Sequence, residues 1–292
     1  MRSLQQHLLL LMSILSLDQV TTAQMAPGNF YPFDSVAGSI AVEDENSTYV
    51  GLSRHFVFFG RMYHQLYVNN NGHLSFIHPS TDFIPDPPPS YSGEDIIAPL
   101  WTDIDVSPNG FISYKEYIEG DLLANATQDI NLYFPDLSFT ATWVFVATWH
   151  RVAYFLHPGT ESSFQVVLIS DGYLSFVLMN YEDIALTPDL VLAGYDTVNS
   201  ARYFVIPDSR DGNTIPNLKN SSNVNVPGRW VFRVDSEQET VVGLQIRVTS
   251  YSDLTEIGNI PFILEKLKQE LVDRGFPSSL ELNLRRVEKA TP

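Results

Sequence analysis

The stretch Leu66-Tyr67-Val68-Asn69-Asn70-Asn71-Gly72-His73-Leu74-Ser75-Phe76 narrows the choice of fold more than any other. Two β-prone runs meet at Asn-Gly. A type I′ hairpin turn needs positive φ at both central residues, which asparagine and glycine tolerate, so the stretch predicts an antiparallel hairpin. The pattern returns at Phe164-Gln165-Val166-Val167-Leu168-Ile169-Ser170-Asp171-Gly172-Tyr173-Leu174-Ser175-Phe176, and both copies end Gly-x-Leu-Ser-Phe. Between them, residues 140–149 form a β-branched and aromatic run that reads as a central strand.

Further strand patterns fall at residues 55–59, 96–106, 111–118, 129–132, 191–195, 203–206 and 229–234. The proline-rich run at 85–89 cannot donate to a ladder and reads as a loop or sheet edge. Many short strands with frequent turn signals predict a mainly β, sandwich-like domain over residues 24–238.

The remainder, 239–292, follows a different pattern. Residues 242–249 read as a strand. Asn259 can cap a helix with Pro261 in its first turn, and an apolar stripe at 260, 263/264, 267 and 271 follows at helical spacing. Gly275 and Pro277 end that helix, and residues 280–285 alternate as a last strand. Such a small β-α-β module buries too little surface to stand alone. Residues 242–287 are therefore expected either to cap the sandwich or to mediate self-association by edge pairing.

Charge excludes some partners. The chain carries 17 basic and 34 acidic residues, a net charge of −17. Residues 24–238 hold 9 Lys/Arg against 25 Asp/Glu, so the acidity belongs to the β domain. Nucleic acid and anionic membrane surfaces both call for basic footprints and are not expected partners. At the N-terminus, Arg2, an apolar core at 8–17 and the small residues Thr21-Thr22-Ala23 read as a signal peptide over 1–23. That core is shorter than the ~20 residues a membrane span needs. Cysteine is absent, which removes disulfides, thiol catalysis and zinc–thiolate sites. Asn46, Asn125 and Asn220 begin Asn-x-Ser/Thr sequons in polar, loop-like sequence, and glycosylation is expected at each.

With these pieces in view the chain resembles the nidogen-like (NIDO) domain family, which includes nidogen and α-tectorin. The resemblance rests on the Leu66 to Phe76 hairpin and on Ile97-Ala98-Pro99-Leu100-Trp101-Thr102-Asp103-Ile104-Asp105. It continues through Asn180-Tyr181-Glu182-Asp183-Ile184, Ala193-Gly194-Tyr195-Asp196 and Val226-Pro227-Gly228-Arg229-Trp230-Val231-Phe232. The single domain without cysteine-rich modules is similar to short α-tectorin-like secreted proteins. The resemblance implies an extracellular matrix or cell–matrix adhesion role without catalysis. The partners it implies are matrix proteins or glycoconjugates.

Candidate site residues are few. Asp103 and Asp105 stand at i and i+2 of a predicted strand, on one face and about 7 Å apart. Paired carboxylates there either face solvent or contribute to a Ca²⁺ site, with Glu94 and Asp95 as further oxygens. No other cofactor is expected. His64, His73, His78, His150 and His157 lack metal-ligand spacing and read as turn or loop residues. Trp101, Trp143, Trp149 and Trp230 read as core. No nucleophile elbow, phosphate loop or dinucleotide fingerprint occurs. The expected function is that of a secreted, non-enzymatic matrix glycoprotein. The alternative is a soluble carbohydrate- or mucus-binding protein.

Overall fold

The computed structural model describes residues 29–33, 47–90, 93–236, 260–273 and 282. The signal peptide expected over 1–23, Asn46 and the strand expected at 242–249 lie outside the described residues, as does the strand expected at 280–285 apart from Leu282.

Among the described residues two antiparallel sheets pack face to face. The first has the order β1 (Ser47–Phe58), β2 (Arg61–Asn69), β3 (His73–Ser75), β4 (Ile96–Trp101), β10 (Leu192–Asp196), β11 (Tyr203–Val205). The second runs β12 (Arg229–Arg233), β9 (Ser175–Tyr181), β8 (His157–Ser170), β7 (Trp143–Tyr154), β5 (Ile104–Asp105), with β6 (Phe111–Tyr117) also paired to β7. The chain builds most of the first sheet, crosses to build the second, and returns for β10 and β11. The expected mainly β sandwich is what forms.

Period-two alternation decides which side chains meet between the sheets. Trp143, Phe145, Ala147 and Trp149 of β7 point inward, with Phe164, Val166 and Leu168 of β8, to meet Phe56, Phe58, Leu66 and Leu74 of the first sheet. Each fully buried large apolar side chain contributes roughly 1.5–3 kcal/mol. The alternate residues Val144, Val146, Val167, Ile169, Phe176 and Leu178 are also buried, on the outer face of the second sheet. A sheet covered on both faces needs apolar residues at every position, which is why residues 143–149 show no polar alternation.

The cover on that outer face corrects the sequence reading. Residues 129–132, expected to be a strand beside a loop carrying Asn125, belong to helix α1 (Asp121–Tyr133). Leu122, Leu123, Ala126 and Ile130 recur at helical spacing and pack on the second sheet. In a four-residue window the period-two reading hides this stripe; over thirteen residues the 3.6 period prevails.

The N-terminal segment 29–33 lies beside α1. Arg229, buried on β12, donates to Asp129 of α1 at 2.9 Å, to the Tyr133 hydroxyl at 2.9 Å and to the Asn29 carbonyl. Tyr31 donates its hydroxyl to Asp129 and exchanges hydrogen bonds with Gln165 through its backbone. Burial, reinforced by Asp129, pushes the Tyr31 phenol far above its usual range. Helix α2 (Ile260–Asp273) forms where its capping residue and apolar stripe predict it, and half-buried Leu271 packs against the inter-sheet core.

Candidate functional site

The asparagine turn of the first hairpin is buried, and it organises the surface around it. Its geometry differs from the type I′ expectation. Asn69 pairs with His73, leaving a three-residue loop closed by Gly72 N–H to the Asn69 carbonyl at 3.2 Å, and of its residues only Gly72 (φ 79°) has positive φ. This is the type I turn followed by a left-handed residue that three-residue hairpins use. A Cβ on Gly72 would lie 1.8 Å from the Leu100 carbonyl oxygen, so no other residue fits.

The turn joins three elements. Asn70 Nδ2 donates to the Ile104 carbonyl, Asn71 Oδ1 accepts the Ile104 N–H, and Trp149 Nε1 donates across the core to the Asn70 carbonyl. Two further amides reach outward to the segment that follows the hairpin. Asn69 Oδ1 accepts the Ser80 N–H at 3.0 Å, and Asn71 Nδ2 donates to the Thr81 carbonyl at 3.2 Å.

That segment, residues 76–95, connects neighbouring antiparallel strands with far more chain than a hairpin needs. Loops of this length in compact domains are commonly functional. It folds back over the outer face of the first sheet and is fastened at both ends. Near its start, Ser75 donates to the His78 carbonyl, Ser47 to the Ser80 carbonyl, and Trp101 Nε1 to the Asp82 carbonyl at 2.7 Å. At its far end buried Asp95 accepts Arg61 Nη1 at 2.7 Å, the Tyr63 hydroxyl at 2.6 Å and the Val198 N–H at 2.7 Å. Between these anchors Ser90 donates to Asp196 and Arg210 donates to the Pro88 carbonyl.

Between the segment and the sheet lies a cleft of about 380 Å³. Its floor is the outward face of β4 and β10, where Ala98, Trp101 and Leu192 form a small apolar cluster with Val205. Its walls carry the carboxylates of Asp82, Asp86, Glu94 and Asp196. Burial raises the Asp196 carboxyl, opposed by hydrogen bonds from Ser90, Ser200 and the Thr197 N–H. Exposed Phe83 and Ile84 follow Asp82 in the chain.

His73 lies against Trp101 with ring centroids 4.5 Å apart. It belongs to β3 and is fully buried, not the turn or loop residue expected, and among the described residues neither ring nitrogen has a well-formed hydrogen bond, the Asn71 backbone being its nearest polar partner. Burial holds its pKa down at about 3, so the ring is neutral throughout the physiological range.

Of the residues singled out from sequence, Glu94 and Trp101 line the cleft; the paired aspartates do not. Asp103 and Asp105 flank Ile104, but only Asp105 is in a strand, the two-residue β5, and its carboxylate accepts the Ser107 N–H at 2.8 Å. Asp95 is held by Arg61 and Tyr63, and Glu94 pairs with His78 at 2.5 Å. Among the described residues no three acidic or histidine side chains converge tightly enough to hold a metal ion. Asn125 is exposed on α1, not in a loop, and Asn220 is exposed at the end of the 3₁₀ turn Ile215–Asn220. Spacing alone does not reveal the cleft acids, because β10 reaches β4 only through sheet order. The one available signal was the length and acidity of the proline-rich segment.

Comparison with known proteins gives the family. A family model described as "Nidogen-like domain" matches residues 64–236. Alpha-tectorin of Homo sapiens is 36% identical over 226 residues, covering 71% of this chain and 10% of its own length. Alpha-tectorin of Gallus gallus is 34% identical over 240 residues, covering 76% of this chain and 11% of its own length. Nidogen-1 of Mus musculus is 29% identical over 199 residues, 59% of this chain and 16% of its own length. The chain thus spans only a small part of each of these relatives. No solved structure matches it significantly. The matched interval contains the asparagine turn, the segment over the first sheet, and every strand from β3 to β12, and on that match the chain belongs to the nidogen-like domain family.

Proposed function

We propose that this chain is a secreted, non-enzymatic glycoprotein of the extracellular matrix that acts through protein–protein contacts, in a matrix or cell–matrix adhesion role. Membership of the nidogen-like family carries this reading. The exposed sequon asparagines Asn125 and Asn220 are consistent with a glycosylated chain, and among the described residues no helix is long and apolar enough to cross a membrane. Residues 242–287 supply self-association in this reading. Leu271 of α2, half-buried against the inter-sheet core, supports a seat for that helix on the β domain.

The test uses the mature glycosylated protein as bait in an extract of extracellular matrix. Retention of matrix proteins above a denatured-bait control is the expected result. Retention of none, with capture instead by an immobilised sugar and release by the free sugar, would overturn it. Removing residues 239–292 is expected to lower the mass in solution of any oligomer. An unchanged monomer in both forms would end the self-association part.

A further inference from the structure

We infer that the cleft between residues 79–90, with Glu94, and the outer face of β4 and β10 receives the side chain of an arginine or lysine presented by a protein partner. The inference rests on the protein-contact reading above and names the chemistry of one contact.

Three properties of the cleft lead to it. First, the walls are of one sign. Asp82, Asp86, Glu94 and Asp196 line it, and no lysine or arginine does. Arg210 touches the rim only by donating to the Pro88 carbonyl, and His78 is paired with Glu94. Asp196 is held by Ser90, Ser200 and the Thr197 N–H, so Asp82 and Asp86 are the carboxylates that meet the incoming cation. Neutral His73, packed against Trp101, adds no positive charge beneath the floor. Like charges collected in a concave site with low-dielectric walls focus a potential that attracts a cation and repels anionic polysaccharide.

Second, the floor is apolar. Ala98, Trp101 and Leu192 can cover the aliphatic stem of a long basic side chain while its head meets the walls. A bare metal ion has no use for such a floor, and the carboxylates do not converge on a point.

Third, the site is formed before anything binds. The Trp101 indole is tethered to the Asp82 carbonyl, and the Asn69 and Asn71 amides fix residues 80 and 81. A tethered wall loses little entropy on binding. The volume of about 380 Å³ lies at the lower end of the roughly 300–1,000 Å³ of ligand pockets, suited to one side chain and too small for a folded element. Exposed Phe83 and Ile84, next in sequence to Asp82, provide apolar contact area around it. An aromatic and apolar surround that excludes water from a contact is the usual anatomy of an interface hot spot.

The test is a titration of the ¹⁵N-labelled full chain with acetyl-Gly-Arg-Gly-amide, its lysine counterpart, its neutral citrulline counterpart, and a neutral monosaccharide. The readouts are the Trp101 indole N–H and the amides of Ser80 and Ala98. Saturable shifts with the arginine or lysine peptide and none with citrulline are expected. Affinity should fall by about tenfold or more in Asp82→Asn/Asp86→Asn, a variant that leaves the tethering Asp82 carbonyl in place. An equal response to citrulline, a response to the sugar instead, no response to either basic peptide, or an unchanged affinity in a variant with wild-type melting temperature would overturn the inference. Asp86→Lys, at an exposed position, serves if the double variant fails to fold. Matrix proteins retained equally by wild type and variant would sink the cleft and leave the protein-contact reading standing. Retention by neither would remove both.

Discussion

The two sheets meet water in different ways. Helix α1 seals the outer face of the second sheet, interlocking Leu122, Ala126 and Ile130 with Val167, Ile169 and Phe176. Its one charged group in the interior, Arg229, is matched by Asp129, Tyr133, Asn180 and a backbone carbonyl. The outer face of the first sheet is roofed by an acidic, proline-rich segment that cannot interdigitate, and a cleft remains beneath it. Helical side chains fill the space over a sheet; a loop pinned by its backbone holds a fixed distance and leaves a gap. One face serves stability, and the other carries the cleft proposed for recognition.

That contrast can be broken from either side. The largest effect is expected on the sealed face. Arg229→Ala leaves Asp129 with the Tyr31 hydroxyl but no counter-charge and should cost about 3–5 kcal/mol. Ile130→Ala, at a fully buried position, should cost about 2–5 kcal/mol. Chemical denaturation measures both, and partner binding at the remaining folded fraction should not change. On the open face, Trp101→Phe removes the hydrogen bond to the Asp82 carbonyl and should cost about 0.5–1.5 kcal/mol. Its larger effect should be lost binding of a basic peptide. Loss of stability with binding intact would reverse the assignment of the two faces.

A smaller effect comes from pH. His73 has a folded pKa of about 3 against an unfolded value near 6.5. The unfolded chain therefore takes up this proton first. The stability that neutral His73 contributes is present above pH 6.5 and is lost as pH falls from there toward 3, at up to about 1.4 kcal/mol per pH unit. His73→Phe should flatten this part of the stability profile between pH 6 and 4. An unchanged slope would mean that His73 finds a hydrogen-bond partner in solution. The smallest effect is expected from Ca²⁺. At millimolar concentration it should leave the melting temperature unchanged, while a rise abolished by Asp105→Asn would place an ion at Asp103 and Asp105.

Much of the fold was legible in local pattern. The two Gly-x-Leu-Ser-Phe hairpins, the apolar β7 and helix α2 all form where residue spacing puts them. Helix α1 was hidden because polar residues at 125, 127, 128 and 129 break its stripe into short pieces. The turn type was misread because Asn71 and Gly72 satisfy the I′ signature, while the buried contacts of Asn70 and Asn71 favour a longer loop. The cleft was the least legible part. Asp82 and Asp196 share a wall only because β10 pairs with β4, a contact that no local period encodes. Asp103 and Asp105 attracted notice by spacing alone, which the brevity of β5 and the Ser107 contact limit.

The division of labour between the two faces is tested most directly by retention of matrix proteins on three baits. These are wild type, Asp82→Lys/Asp86→Lys on the cleft, and Ala124→Lys/Gln128→Lys on the exposed side of α1. Loss of retention in the cleft variant alone is the predicted result. Equal retention on all three baits, or loss confined to the helix variant, would contradict it.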